Sequence, residues 1–91
     1  METFVLNNPE AVEDETTLFR FHPDENRDND TIPHHHPRNG TLLRGTVLEY
    51  EAQPWLEVHQ LQQPDSAVWI DVENAYLPFQ LHHYNILQPH P

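Results

Sequence analysis

Proline placement constrains this chain more than any other feature. Prolines at 9, 23, 33 and 37 punctuate the first forty residues, and prolines at 54, 64, 78 and 89 punctuate the rest. Each removes a backbone donor and clashes with the preceding helical turn, so little room is left for a long helix. Helical periodicity of the apolar residues is correspondingly poor. A chain of 91 residues is also near the size at which a domain just supports its own core, and the absence of cysteine rules out a disulfide as compensation.

Composition divides the chain near Gly40. Residues 1–40 are rich in acids, asparagine and proline, and only Phe4-Val5-Leu6 and Leu18-Phe19-Arg20-Phe21 interrupt them as apolar islands. Such a stretch buries too little apolar surface to offset the entropy of ordering it, so a largely disordered acidic segment is expected, mobile over 1–15 and 23–39. Within it, Thr17, Phe19 and Phe21 alternate with Leu18 and Arg20. That alternation fits either an extra edge strand over 17–21 or a linear docking motif that orders on a partner.

Residues 41–91 read as a small β module. Gly40–Tyr50 has the composition of a strand, and Gly45 inside it predicts a bulge or bend. A turn around Ala52-Gln53-Pro54 leads to a segment with Leu56 and Val58 on one face and Glu57 and His59 on the other. Gln63-Pro64-Asp65-Ser66 has the chemistry of a tight turn. Ala67–Glu73 then alternates Val68, Ile70 and Val72, expected inward, with Trp69, Asp71 and Glu73, expected outward. Leu77–His83 suits one 3₁₀ or α turn, and Tyr84–Leu87 a short closing strand. The fold class is therefore mostly β: a small SH3-like barrel or a short antiparallel sheet with one helical turn. The resemblance to SH3-like barrels is to an architecture and carries no function.

Charge narrows the partners. Fifteen acidic residues stand against four arginines and no lysine, a formal net charge of −11. Phosphate binding needs clustered cations, so direct contact with nucleic acid or an anionic membrane is not expected. No apolar stretch approaches the roughly 18 residues of a membrane helix, and the amino-terminal residues lack a signal-peptide pattern; a cytoplasmic location is the expectation.

Chemistry-bearing residues are few. The chain has no cysteine and no lysine, its one serine is Ser66 in a turn, and its two glycines, Gly40 and Gly45, form no phosphate loop. His59 with Glu57 or Asp71 could form an acid–base pair, but alternating polar residues are also the ordinary outer face of a sheet. No catalytic residue and no cofactor are expected. Histidines 34, 35 and 36, and 82 and 83, are weak metal candidates, because neighbouring histidines in an extended segment point to opposite sides.

An outward tryptophan rimmed by carboxylates resembles a binding hot spot. The reading that follows is a non-catalytic protein-binding module, an accessory subunit or small regulator that docks on a basic surface of a larger protein. Its expected contacts are Trp69, Asp71 and Glu73, with Leu18, Phe19 and Phe21 as a second set. The alternatives are an acidic inhibitor mimicking nucleic acid and a histidine-dependent metal-binding protein.

Overall fold

A computed structural model describes residues 1–12, 15–24 and 36–91. Seven strands account for its regular structure: β1 (Glu2–Leu6), β2 (Leu42–Tyr50), β3 (Gln53–Gln62), β4 (Ile70–Pro78), β5 (Gln80–Leu81), β6 (Tyr84–Asn85) and β7 (Leu87–Pro89). Five of them make one antiparallel sheet in the order β4-β3-β2-β1-β7, and β5 pairs with β6 in a small hairpin. The sheet is not closed into a barrel, so of the two expected architectures the chain forms the open antiparallel sheet.

Alternation places one face of this sheet on the core. Phe4, Leu6, Leu43, Leu56, Val58, Leu61, Val72, Ala75 and Leu77 are buried, joined by Phe19, Ile86 and Leu87. The expected mobility of residues 1–15 does not extend to Glu2–Leu6, which lie inside the sheet between β2 and β7. Phe4 and Leu6 are the reason. Alone, the island is too short to order; between two strands it gains ladder hydrogen bonds on both edges and buries two large side chains.

Beyond β1, the described residues of the N-terminal stretch are tied down by side chains; residues 13–14 and 25–35 of the segments expected to be mobile lie outside them. Asn39 accepts a hydrogen bond from the Asn8 amide (2.7 Å) and donates to the carbonyls of Asn8 and Ala11 (2.9 and 3.1 Å). Buried Asn8 in turn donates through Nδ2 to Thr17 Oγ1 at 3.0 Å. The 17–21 island adds itself to the free edge of β4 through one bridge, in which Arg20 and Tyr76 exchange N–H···O bonds of 2.8 and 2.9 Å. Thr17 and Phe19 point inward and Leu18 outward, as their alternation predicts.

Gly45 marks a bulge. Register shifts there, with Arg44 opposite Gln60 and Gly45 opposite Val58, so His59 has no residue across from it in β2. On the other side of β3, Val58 faces Ala75 and Gln60 faces Asp71, so Val72, Glu73 and Asn74 all lie opposite His59. The bulge lets Val58 and Leu61, three residues apart, both reach the core while His59 and Gln60 both stay outside.

Two expectations are corrected. The helical turn over Leu77–His83 is instead the end of β4 followed by the β5–β6 hairpin, with His82 and His83 at its tip in the left-handed region (φ 48° and 71°). Leu77 is buried and Phe79 and Leu81 pack against the core; only an extended segment aims three alternate residues the same way, whereas a helical turn would fan them. The strand expected from Ala67 begins at Ile70, and Val68 is 63% exposed. Ser66 Oγ accepts the Val68 N–H at 3.1 Å, a local bond that competes with ladder pairing. The turn before it forms as expected, with Ser66 N–H donating to the Gln63 carbonyl at 3.1 Å.

Candidate functional site

The face of the sheet away from the core carries an ordered row of side chains across three strands. Arg44, Gln60 and Asp71 are register partners on β2, β3 and β4. Arg44 Nη1 donates to Gln60 Oε1 at 3.0 Å, and Gln60 Nε2 donates to Asp71 Oδ1 at 2.9 Å. Both ends of the Gln60 amide are therefore used, oxygen toward the cation and nitrogen toward the carboxylate. The Arg44 guanidinium carbon lies 3.9 Å from the centroid of the Trp69 ring, a cation–aromatic contact.

A second row follows toward the β2–β3 turn. Thr46, Glu57 and Tyr76 are register partners, and the Tyr76 hydroxyl donates to Glu57 Oε2 at 2.9 Å. Burial, and then this bond to a carboxylate, raise the Tyr76 phenol above the ordinary tyrosine range. His22 comes over the edge of β4 to lie against Tyr76 and Tyr50, with ring centroids 5.1 and 6.2 Å away, and its Nδ1 meets Asp24 Oδ1 at 2.5 Å.

His59 does reach Glu57, but not in the geometry of a relay. Its Nε2 lies 3.2 Å from Thr46 Oγ1 and 3.7 Å from Glu57 Oε1, so one nitrogen faces both groups. A base that takes a proton from a hydroxyl and is oriented by a carboxylate uses its two nitrogens separately.

The expected contact residues separate into two groups. Trp69 is half-buried beside Arg44, and Asp71 and Glu73 are exposed, Glu73 on the bulged part of β4. Leu18 is 46% exposed and Phe21 is half-buried. Phe19 is corrected: it has no exposed surface and belongs to the core, because the same alternation that turns Leu18 outward turns Phe19 under the sheet. Its ring lies 5.8 Å from that of His36.

Among the described residues the histidines do not converge. His34 and His35 lie outside the described residues. His36 Nδ1 accepts the Phe19 N–H at 3.2 Å, which occupies the lone pair a metal would need. His82 Nδ1 lies 2.7 Å from Glu10 Oε1, and His83 follows it at the hairpin tip. Among the described residues no group of three histidines and carboxylates is placed to hold a metal ion. A shallow groove of about 240 Å³ runs between the 16–20 segment and the β5–β6 hairpin, lined by Thr17, Leu18, Arg20, Leu77, Leu81 and His82. It is smaller than the roughly 300–1,000 Å³ of typical small-molecule sites.

Arg44 and Gln60 were not among the residues expected from sequence. Arg44 shares an outward parity with Thr46 on β2, and that was a usable signal; Gln60 gave none, because its direction depends on the bulge.

Comparison with known protein families finds no match to this chain, and neither the curated proteins nor the solved structures contain a match. No helix among the described residues is long and apolar enough to cross a membrane.

Proposed function

We propose that this chain is a non-catalytic protein-binding module that docks through the outer face of its sheet on a basic surface of a larger protein. The observation that carries this reading is the seating of Trp69. A large aromatic side chain lies on the side of the sheet away from the core, stacked with Arg44, and Asp71 of the same row is exposed. Aromatic residues with a polar rim are the usual energetic centres of protein interfaces.

Preorganisation supports the same reading. The Gln60–Asp71 hydrogen bond fixes a carboxylate side chain that would otherwise lose rotamer freedom on binding, which lowers the cost of association. Glu57, Asp71 and Glu73 outnumber Arg44 on this face and the chain as a whole carries −11, so a basic partner is drawn in at long range and an acidic one repelled. Exposed Leu18 offers a second, peripheral contact on the 17–21 segment.

The test is a pull-down with full-length chain as bait beside its Trp69→Ala variant, at moderate and at high salt. A stoichiometric protein held by the wild type and lost by Trp69→Ala, with the variant still folded by circular dichroism, supports the reading. A partner held equally by both baits removes the docking face. Displacement of that partner by DNA or RNA would move the reading to an acidic mimic of nucleic acid.

A further inference from the structure

The geometry points to an arginine-binding subsite on this face, with Arg44 as its intramolecular occupant; we propose that a guanidinium from the partner competes with Arg44 for Trp69 and Asp71. The inference rests on the docking reading above and specifies the chemistry of the partner. Three features of the Arg44 row carry it.

First, Arg44 is a full charge held by weak partners. It contacts an aromatic ring and a neutral amide oxygen, and among the described residues it is ion-paired with no carboxylate. Arginine–carboxylate pairing is the stronger arrangement, about twice the strength of a neutral hydrogen bond and often bidentate.

Second, a carboxylate stands in the same row and Arg44 does not reach it. Gln60 lies between them, giving its oxygen to Arg44 and one amide hydrogen to Asp71 Oδ1. Asp71 is exposed and among the described residues receives only that hydrogen bond, which leaves its carboxylate with accepting capacity. Trp69 and Asp71 flank Ile70 at the start of β4, so a guanidinium arriving from solvent approaches both from outside, whereas Arg44 is linked to Asp71 only through Gln60.

Third, the local charge favours such an arrival. Glu73 follows Asp71 on β4 and is exposed, and Glu57 lies one row away on β3. Planarity decides between cations: a guanidinium lies flat on an indole ring and forks onto a carboxylate, whereas an ammonium does so only as a point charge.

The experiment titrates full-length chain with the peptide acetyl-Gly-Arg-Gly-Arg-Gly-amide at low salt, following the Trp69 indole N–H by NMR. Arg44→Gln is expected to tighten binding about five-fold, the size of one exposed cation–aromatic contact. Arg38→Gln is the control. It makes the same change in net charge and frees Asp65, in the turn before β4, from its 3.1 Å ion pair; it is expected to change affinity less than two-fold. Adding Asp71→Asn to Arg44→Gln should abolish the gain, and the lysine peptide should bind more weakly than the arginine one. Equal gains from the two arginine variants would reduce the effect to net charge and overturn the subsite, as would weaker binding by Arg44→Gln. Should Arg44→Gln fail to fold, Gln60→Leu, which unties Arg44 without removing it, must give the gain or the proposal falls. The titration needs no captured protein: its failure refutes the arginine subsite alone, whereas a partner retained by Trp69→Ala refutes the docking face.

Discussion

Replacing Gly45 with alanine should destabilise the fold by about 2–3 kcal/mol or more. A Cβ on Gly45 would stand 2.0 Å from the Glu57 carbonyl oxygen, 2.9 Å from its carbon and 3.0 Å from Val58 Cα. All three are backbone atoms, so no side chain can swing aside. Close carbon–oxygen approaches between strands are about 3.3 Å, which leaves β2 and β3 to separate locally by roughly 1.3 Å. A ladder bond of about 2.9 Å stretched by that amount is lost, and each is worth about 1 kcal/mol net. Two such bonds and the distortion that relieves the clash come to about 3–4 kcal/mol, within and slightly above the usual range for overpacking. Reduced freedom of the unfolded chain returns about 0.5–1 kcal/mol. For a domain of this size the total stability is about 5–14 kcal/mol, so the variant loses a large share of it. Urea unfolding followed by the fluorescence of Trp55 and Trp69, with Glu49→Ala as an exposed control on the same strand, measures the difference. A change under 0.5 kcal/mol at an unchanged m-value would refute the close approach of β3 to Gly45.

Thr41 Oγ1 is buried and, among the described residues, has no hydrogen-bond partner; Thr41→Val should therefore gain about 1 kcal/mol in chemical denaturation. Glu51 and Ala52 both take positive φ (51° and 63°) in the β2–β3 turn, a geometry that glycine adopts without strain. Ala52→Gly should raise stability by about 0.5–1 kcal/mol, read as a higher urea midpoint. Asn39→Ala removes all three bonds to Asn8 and Ala11 and should cost about 2–4 kcal/mol, with amide exchange accelerated at Asn8 beyond the change in global stability.

Much of the sheet was legible because period-two alternation survives wherever a strand has one buried face. On that ground Leu56 and Val58 share one face, and Val72 points inward against outward Asp71 and Glu73. Val68 has the same parity as Val72 but precedes the strand and is exposed, while the residue types at Gly45 and at Gln63–Ser66 carry their own backbone signals. What escaped depends on tertiary context. Phe4-Val5-Leu6 is a poor strand alone and a good one between β2 and β7. Leu77, Phe79 and Leu81 do alternate, but a proline-limited run this short suits a single helical turn as well as a strand. Gln60 is the clearest case. Strict alternation from Leu56 and Val58 would aim it at the core, and the bulge at His59 turns it outward to join Arg44 to Asp71.

The boundary drawn by composition at Gly40 is not a boundary in the fold, and this bears on how the outer face must be studied. Residues 41–91 alone would lose Phe4, Leu6 and Phe19 from the core. At about 1.5–3 kcal/mol for each buried side chain, that is roughly 5–9 kcal/mol, comparable with the entire stability of a domain this size. β7 would also lose β1, the strand it pairs with in the sheet. The 41–91 fragment should show no cooperative thermal transition by circular dichroism, and a transition retaining more than half the stability of the full chain would refute this accounting. The loss would reach the candidate site directly, because Thr3 of β1 is the register partner of Arg44. Without β1, β2 becomes an edge strand, and the row that sets Arg44 beside Trp69 loses the neighbour that holds it in plane. A binding defect measured on the fragment would thus report the missing strand and not the docking face, and only the full chain separates the two.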